Sequence, residues 1–428
     1  MIPYKVLVVD DSAFMRKIFS DLIEKDPAFQ VMDTAENGRE AVEKIARLKP
    51  DVVTMDVEMP EMNGLEALKQ IMAANPLPVI MLSGINEEGM KETIMALESG
   101  AFDFIRKPSA TFSQHIDQVG DTLLEQLKAA MSARERRAAF RAEEEKRRRH
   151  KADAMQTFPG RAVIPKSDKV EQESLKRQTP ILRKTEAALA RPELRNIEVK
   201  KSKPASPPTE SLQETVVTYE SASPAVRAAH PVGQRQAFTH LVAIGCSTGG
   251  PRALKAVLEK LPVNFPAPVV IVQHMPPNFT KSLAQRLNSF SPLEVVEAED
   301  GMVLNAGYAY VAPGGRNMRV ARESSGCFAL ALSGDEPKNG HRPSVDVLFE
   351  SLLPLDSLVR HAVLMTGMGS DGARMMKRLY DAGVSSTFAE SEETCIVYGM
   401  PRSAIELQCV SHVLPLHEIA AGVARAVK

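Results

Sequence analysis

A serine, a histidine and an aspartate at widely spaced positions carry the chemistry that this 428-residue sequence suggests. Ser247 lies in Gly245-Cys246-Ser247-Thr248-Gly249, which matches the G-x-S-x-G nucleophile elbow. A serine hydroxyl attacks poorly until a base removes its proton, and a histidine does so best when a carboxylate holds its tautomer. His274 and Asp371 are the candidates for base and orienting acid. A glycine-rich phosphate loop, or a plain tight turn, is the other reading of residues 245–250. A second set of polar residues points to different chemistry: Asp10, Asp11, Asp56, Ser83 and Lys107. Three carboxylates in one pocket repel unless a cation joins them, and an all-oxygen site suits Mg²⁺. A carboxylate beside Mg²⁺ and a lysine is a nucleophile toward phosphoryl groups. Strand-end aspartates also serve as plain helix caps.

Both sets depend on elements that bring distant residues to one edge. Lys5–Val9, Asp51–Met55, Val79–Leu82 and Phe104–Arg106 read as strands, with a weaker one at Val31–Thr34. Helical patterns lie between them at Phe14–Ile23, Gly38–Leu48, Gly64–Ala74 and Gly89–Ser99. This alternation predicts a doubly wound parallel sheet, whose ligands sit beyond the carboxyl ends of the strands. Asp10, Asp11, Asp56, Ser83 and Lys107 all follow such ends. Later in the chain, Leu241–Gly245, Pro268–Val272 and Ala362–Thr366 are apolar runs of strand length. Ser247, His274 and Asp371 follow them. Pro251 and the periodic Ala253, Leu254, Val257 and Leu258 predict a helix directly after Ser247. Further helices are predicted at Phe279–Leu287, Ser344–Leu353 and from Gly372 to about Asp381. The glycines around Met368 leave backbone N–H groups free to face an oxyanion.

Position separates the rival residues. His361 precedes its predicted strand and so lies at the wrong edge. His341, in a polar loop before a helix, is a rival base that pattern does not exclude. Asp346 falls in a first helical turn, where a dipole or capping role accounts for it. Asp335 lies in a turn-like Ser-Gly-Asp-Glu-Pro. Cys246 reads as a packed small residue, since adjacent elbow residues point in different directions. The order serine, histidine, aspartate excludes the α/β-hydrolase family, where the acid precedes the histidine.

Length calls for two or three domains, divided here as 1–125, 126–236 and 237–428. The formal net charge of −1 gives no general attraction to nucleic acid or membrane. No apolar run is long enough to span a bilayer, and the N-terminus, whose apolar run ends at Asp10-Asp11, does not read as a signal peptide. Four cysteines without metal spacing read as reduced thiols in a cytoplasmic protein. Leu124 to about Lys151 predicts a helix, charged nearly all round after Met131 and so set in solvent. From about Asp153, scattered Pro, Ser, Thr, Lys and Glu predict a disordered linker. Lys146-Arg147-Arg148-Arg149 reads as a solvated charge run rather than a nucleic-acid or lipid patch.

The blocks KVLVVDDS, VVTMDVEMPEMNG, PVIMLSG and GAFDFIRKP together resemble a response-regulator receiver domain. That resemblance implies a flavodoxin-like fold with Asp56 as phospho-acceptor. It implies Asp11, Asp56 and the Glu58 carbonyl as direct Mg²⁺ ligands, with Asp10 acting through water. It further implies phosphoryl contacts from Ser83 and Lys107, Phe104 as a switch aromatic, and often a cis Lys107-Pro108 bond. VAIGCSTGGP, VIVQHMPPNFTKSLAQRL, GHRPSVDVLF, LMTGMGSDGA and CIVYGMP resemble the catalytic domain of the chemotaxis protein-glutamate methylesterases, the CheB family. This second resemblance implies Ser247 as nucleophile, His274 as base, Asp371 as orienting acid and the Met368 amide as oxyanion donor. It also implies a seven-stranded, mostly parallel doubly wound sheet. Departures from that family are the longer linker, Cys246, Met375 and Glu390-Ser391.

The fold expected is therefore α/β, with two doubly wound, mostly parallel sheets joined by a long connector. The function expected is phosphorylation-activated hydrolysis of methyl esters on glutamates of methyl-accepting chemotaxis receptors, with deamidation of receptor glutamines by the same chemistry. A chemotaxis histidine kinase is the phosphodonor implied; Mg²⁺ serves phosphorylation, and the hydrolysis needs no cofactor. The unphosphorylated first domain is expected to cover the edge that holds Ser247. Two other classes compete, a non-catalytic phospho-dependent docking module and a nucleotide binder. The second lacks G-x-G-x-x-G and an acidic ribose partner.

Overall fold

The computed structural model describes residues 2–84, 86–107, 116–156, 238–384 and 386–428. In the N-terminal region β1 (Tyr4–Val9), α1 (Ala13–Ile23), β2 (Phe29–Ala35), α2 (Gly38–Leu48), β3 (Val52–Asp56), α3 (Gly64–Ala74), β4 (Val79–Ser83), α4 (Glu87–Glu98) and β5 (Asp103–Arg106) alternate as expected. The strands pair in parallel in the order β2-β1-β3-β4-β5. Helices cover both faces, so β3 and β4 are buried at every position and read as continuous apolar runs. The β2 edge strand is only partly buried, which is why its pattern is weak in sequence. Each helix starts on a side-chain cap: Ser12, Asn37, Asn63 and Asn86 accept from the first-turn amides. The Asn86 cap starts α4 two residues before the apolar pattern begins. Gly64 is required by close approach, since a Cβ there would lie 2.0 Å from the Asp56 carbonyl oxygen.

Helix α5 (Ile116–Gln156) begins earlier than its composition indicates. Its Leu123, Leu127, Ala130 and Met131 pack into the apolar cluster under β1 and β4. The expectation of solvent after Met131 fails for the next turn. Ala133 is buried, Arg134 pairs with Asp51 at 2.5 Å, and Glu135 accepts from the Tyr4 hydroxyl. Arg147 and Glu143 form the i,i+4 pair of a solvated charge run. The side chains of Arg148 and Arg149, the linker expected from Asp153 beyond Gln156, and the Lys107-Pro108 bond lie outside the described residues.

The C-terminal region comprises β6 (His240–Cys246), α6 (Gly250–Leu258), β7 (Val269–Gln273), α7 (Phe279–Asn288), β8 (Glu294–Glu297), β9 (Tyr308–Val311), β10 (Asn317–Arg322), β11 (Phe328–Ser333), α8 (Val345–Ser351), β12 (Val359–Leu364), α9 (Ala373–Asp381), β13 (Thr387–Glu390), α10 (Met400–Glu406), β14 (His412–Leu414) and α11 (Leu416–Ala426). Seven strands form one sheet in the order β14-β13-β12-β6-β7-β9-β8, and every pairing is parallel. Strands β10 and β11 form a separate antiparallel ribbon. β6 lies at the centre, with Gly245 opposite Val272 on one side and Leu364 on the other. The connections after β6, β7 and β12 thus emerge side by side at the carboxyl edge, where open α/β sheets bind ligands.

At the other end, His361 lies inside β12 rather than before it. Its Nε2 is 2.9 Å from His240 Nδ1 and its Nδ1 is 2.6 Å from the Ser386 hydroxyl. Burial, then the neighbouring His240, pushes His361 down to about 4 from an ordinary 6.5. The unfolded chain therefore takes up a proton at His361 that the folded chain refuses. Stability is expected to be complete above about pH 6.5 and to fall as pH drops toward 4. Unfolding midpoints in urea at pH 7 and pH 5 measure this, and His361→Gln should shrink the difference between them.

Candidate functional site

Ser247 sits in the turn between β6 and α6. Its amide donates to the Thr366 carbonyl at 3.0 Å, and its own carbonyl accepts from Gly250 N at 2.7 Å and from Gln273 Nε2 at 3.0 Å. Gly249 takes φ 80°, and Pro251 follows in the first turn of α6. Gly367 presses against this turn: a Cβ there would stand 2.9 Å from Ser247 Cβ and 2.4 Å from Met400 Sδ. Only glycine permits that approach, so the loop after β12 can lie on the serine turn.

His274 follows β7, and its amide donates to the Cys246 carbonyl at 3.2 Å. Its Nε2 lies 2.8 Å from Asp371 Oδ2. Its Nδ1 is buried and has no hydrogen-bond partner, so the ring is not bonded to the Ser247 hydroxyl here. The His341 ring stacks on the His274 ring with centroids 3.8 Å apart and planes 7° apart. Burial, then His274, pushes His341 down to about 4, which keeps it neutral at physiological pH.

Asp371 is almost fully buried and accepts five hydrogen bonds. Oδ2 receives His274 Nε2 and Val345 N at 2.7 Å; Oδ1 receives Ser344 Oγ at 2.9 Å, Asn339 Nδ2 at 3.0 Å and Asp346 N at 3.2 Å. Burial alone would raise its pKa, but the His274 ring and the other donors outweigh burial and hold it far below the carboxylate range. Asp346 does cap a helix, though not its own: its Oδ1 accepts from Gly372 N at 3.0 Å, at the start of α9. Asp335 is exposed and pairs with Arg319, in a segment without regular structure or an assigned turn. The Cys246 thiol packs on Gln273 Oε1, and burial raises its pKa steeply, which fits a packing residue. Glu390 lies behind the site, accepting from Thr366 N at 2.9 Å and Thr394 Oγ1 at 3.0 Å.

Ser247, His274, His341, Arg342, Met368 and Gly369 line one open cleft of 780 Å³. The Met368 amide makes no backbone hydrogen bond among the described residues. The opposite wall of the cleft is Asp103, Phe104 and Arg106 of β5. Phe104 packs on Phe279 with ring centroids 4.6 Å apart, and Thr248 donates to Asp103. Beside them Glu98 of α4 receives Arg286 Nε at 3.2 Å and Nη2 at 3.0 Å, with Lys255 at 3.7 Å. Sequence reading carried no signal for Asp103, Glu98 or Arg286. Asn339 had one, an Asn-Gly turn, but its reach to Asp371 is tertiary.

The second polar set also converges. Asp10, Asp11 and Asp56 carry carboxylate oxygens within 4.8 Å of one another. Lys107 Nζ lies 2.7 Å from Asp10 and 2.6 Å from Asp56. Burial, partly offset by Lys107, pushes Asp56 up to about 6. Ser83 is buried and bonded to Thr93 at 2.7 Å. The exposed Glu58 side chain receives Asn86 Nδ2, and its amide approaches Asp56 Oδ1 at 3.4 Å.

Two family models match the chain: the response regulator receiver domain over residues 6–116 and the CheB methylesterase over 242–423. A protein-glutamate methylesterase/protein-glutamine glutaminase of Geobacillus kaustophilus is 42% identical, with 99% of this chain and 98% of that protein covered. The protein of the same name from Bacillus subtilis is 40% identical over 99% of this chain and 98% of its own length. The crystal structure of the Thermotoga maritima CheB methylesterase catalytic domain is 41% identical, covering 45% of this chain and 100% of that one with a TM-score of 0.43. With its receiver domain, its methylesterase domain and similarity along almost the whole chain, the protein belongs to the protein-glutamate methylesterase/protein-glutamine glutaminase family.

Proposed function

We propose that the chain hydrolyses γ-glutamyl methyl esters on the cytoplasmic helices of methyl-accepting chemotaxis receptors, with Ser247, His274 and Asp371 as its working residues. One observation supports this most: Asp371 holds His274 by Nε2, which leaves Nδ1 buried and unpartnered in the cleft that Ser247 also lines. With its proton fixed on Nε2, the ring presents a lone pair at Nδ1. Ser247 Oγ attacks the ester carbonyl while Nδ1 takes its proton. Catalytic hydrogen bonds absent in a free enzyme commonly form in the Michaelis complex. The Met368 amide faces the tetrahedral oxyanion, a donor typically worth ~10²–10³ in rate. The proton then passes from Nδ1 to the leaving methanol. Water, deprotonated by the same nitrogen, releases the glutamate and restores Ser247. A glutamine side chain would follow the same path with ammonia leaving, which accounts for deamidation. The docking-module alternative requires no such triad.

Asp56 is proposed as the acceptor of a phosphoryl group from a chemotaxis histidine kinase. The oxygen-only cluster of Asp10, Asp11 and Asp56 fits Mg²⁺. Bound there with the Glu58 carbonyl, the metal would offset charge on the transferring phosphoryl group. Lys107 reaches both carboxylates and would contact phosphoryl oxygens, as would Ser83. Phe104, on the strand that leads to Lys107, lines the cleft and packs on Phe279. The unphosphorylated receiver is proposed to hold the cleft partly covered through Glu98, Asp103 and Phe104, and phosphorylation to shift the population toward an uncovered form.

Methanol release from methylated receptor tests the first proposal. Ser247→Ala should lose at least ~10³-fold and Asp371→Asn on the order of 10³–10⁴-fold. A Ser247→Ala protein with normal turnover would remove the serine mechanism. Covering is tested by Glu98→Ala. Loss of a charged hydrogen-bonded pair weakens docking by about 1.5 kcal/mol, so the basal rate should rise roughly tenfold. The rate with a small-molecule phosphodonor should change little. An unchanged basal rate would contradict covering.

A further inference from the structure

A recess of 480 Å³ lies between α5, α6 and the 392–398 loop. Arg136, Arg137 and Arg141 enter it from α5, and Arg252 and Lys260 from the α6 side. Glu392 and Glu393 are its only Asp or Glu lining residues, and neither pairs with those five cations among the described residues. Arginines nearby behave differently. On the same helix, Arg134 pairs with Asp51 and Arg147 with Glu143.

These placements set like charges together or against a helix dipole, and Arg252 also acts on the buried Glu390 carboxylate. Arg137 and Arg141 are like charges at i,i+4 on one helix. Arg252 lies in the first turn of α6, the positive end of the helix dipole. Partial burial, then Arg252, Arg141 and Arg136, pulls the Arg137 guanidinium below its ordinary value, although the residue keeps an exposed surface. Four guanidinium groups from two helices around one hollow form donor forks suited to phosphate oxygens. The hollow has the size of a small-ligand site. An acidic helix, ~10–12 Å across, would lie over it rather than enter. Phe140 and Tyr398 add aromatic surface to the lining.

We infer that this recess binds a small multiphosphate anion, held by Arg136, Arg137 and Arg141 on one side and Arg252 on the other. The ligand would bridge the helix that follows the receiver to the helix that follows Ser247. Inorganic tripolyphosphate and a nucleoside triphosphate share the recognised chemistry, and Phe140 and Tyr398 would favour the second.

Calorimetric titration of the full chain, without Mg²⁺ and at fixed ionic strength, tests the site. The probes are tripolyphosphate, ATP, sulfate and a short polyglutamate peptide. Tripolyphosphate should bind one to one. Arg137→Gln and Arg252→Gln, each checked for unchanged thermal unfolding, should each weaken it at least tenfold; Arg402→Gln, an arginine paired with Glu406 elsewhere, should not. Tighter ATP would assign a nucleotide, and equal affinity the phosphate chain alone. Since the two variants come from different helices, failure of one to fold leaves the other decisive. The inference is overturned by no binding, by binding that both variants retain, by sulfate binding as tightly (an adventitious ion only), or by the peptide binding more tightly than tripolyphosphate.

Discussion

A carboxylate taken out of water must find in the protein the hydrogen bonds that water supplied. Asp371 meets that constraint with five donors drawn from four separate places: the end of β7, the Asn339 turn, Ser344 and the first amides of α8. Much of the C-terminal region's local geometry follows. The β12 loop must pass close to Ser247 to carry Asp371 inward, which makes Gly367 necessary. Asp346, tied to Asn339 at 2.7 Å, caps α9 and so secures the helix that Asp371 precedes. The proposed base is oriented by a group that is itself held from several directions, so its tautomer is fixed before any substrate arrives.

The parallel sheet explains why three such distant residues meet at all. Strands that all run one way deliver all their following loops to one edge. β6, β7 and β12 are neighbours, so the serine turn, the histidine and the aspartate loop are adjacent without any long excursion. The same rule acts in the N-terminal sheet, where Asp10 and Asp11 follow β1, Asp56 ends β3, and Lys107 follows β5. The protein thus applies one topological device twice, once for the proposed acyl chemistry and once for the proposed phosphoryl chemistry.

Apolar packing of α4 on α6 and α7 joins the N-terminal and C-terminal regions, and three chemically distinct contacts add to it. One is aromatic, Phe104 on Phe279; one is a bidentate ion pair, Glu98 with Arg286; one is the hydrogen bond from Thr248 to Asp103. A tenfold change in population corresponds to only ~1.4 kcal/mol, no more than one charged hydrogen-bonded pair contributes. Phe104 belongs to β5, one strand from Ser83 and three residues before Lys107, so a change at the proposed phosphoryl site would have a short path to the cleft wall.

The sequence by itself determined the alternation of strands and helices, both sheets' parallel character, and the residues at the strand ends. These are local matters: apolar periodicity marks buried strands, caps and glycines mark helix limits, and strand direction follows from the crossover helices. Strands β2, β8, β9, β13 and β14 and the ribbon β10–β11 were faint or unseen: the edge strands are half-exposed, and β9 and β13, though buried inside the sheet, are only four residues long. The inward face of α5 near Ala133 was hidden by its charged composition. Only the tertiary structure decided which nitrogen of His274 meets Asp371, that His341 stacks on that ring as a neutral neighbour, and that β5 walls the cleft. Those outcomes depend on side chains more than sixty residues apart choosing one another in space, and no local pattern records such a choice.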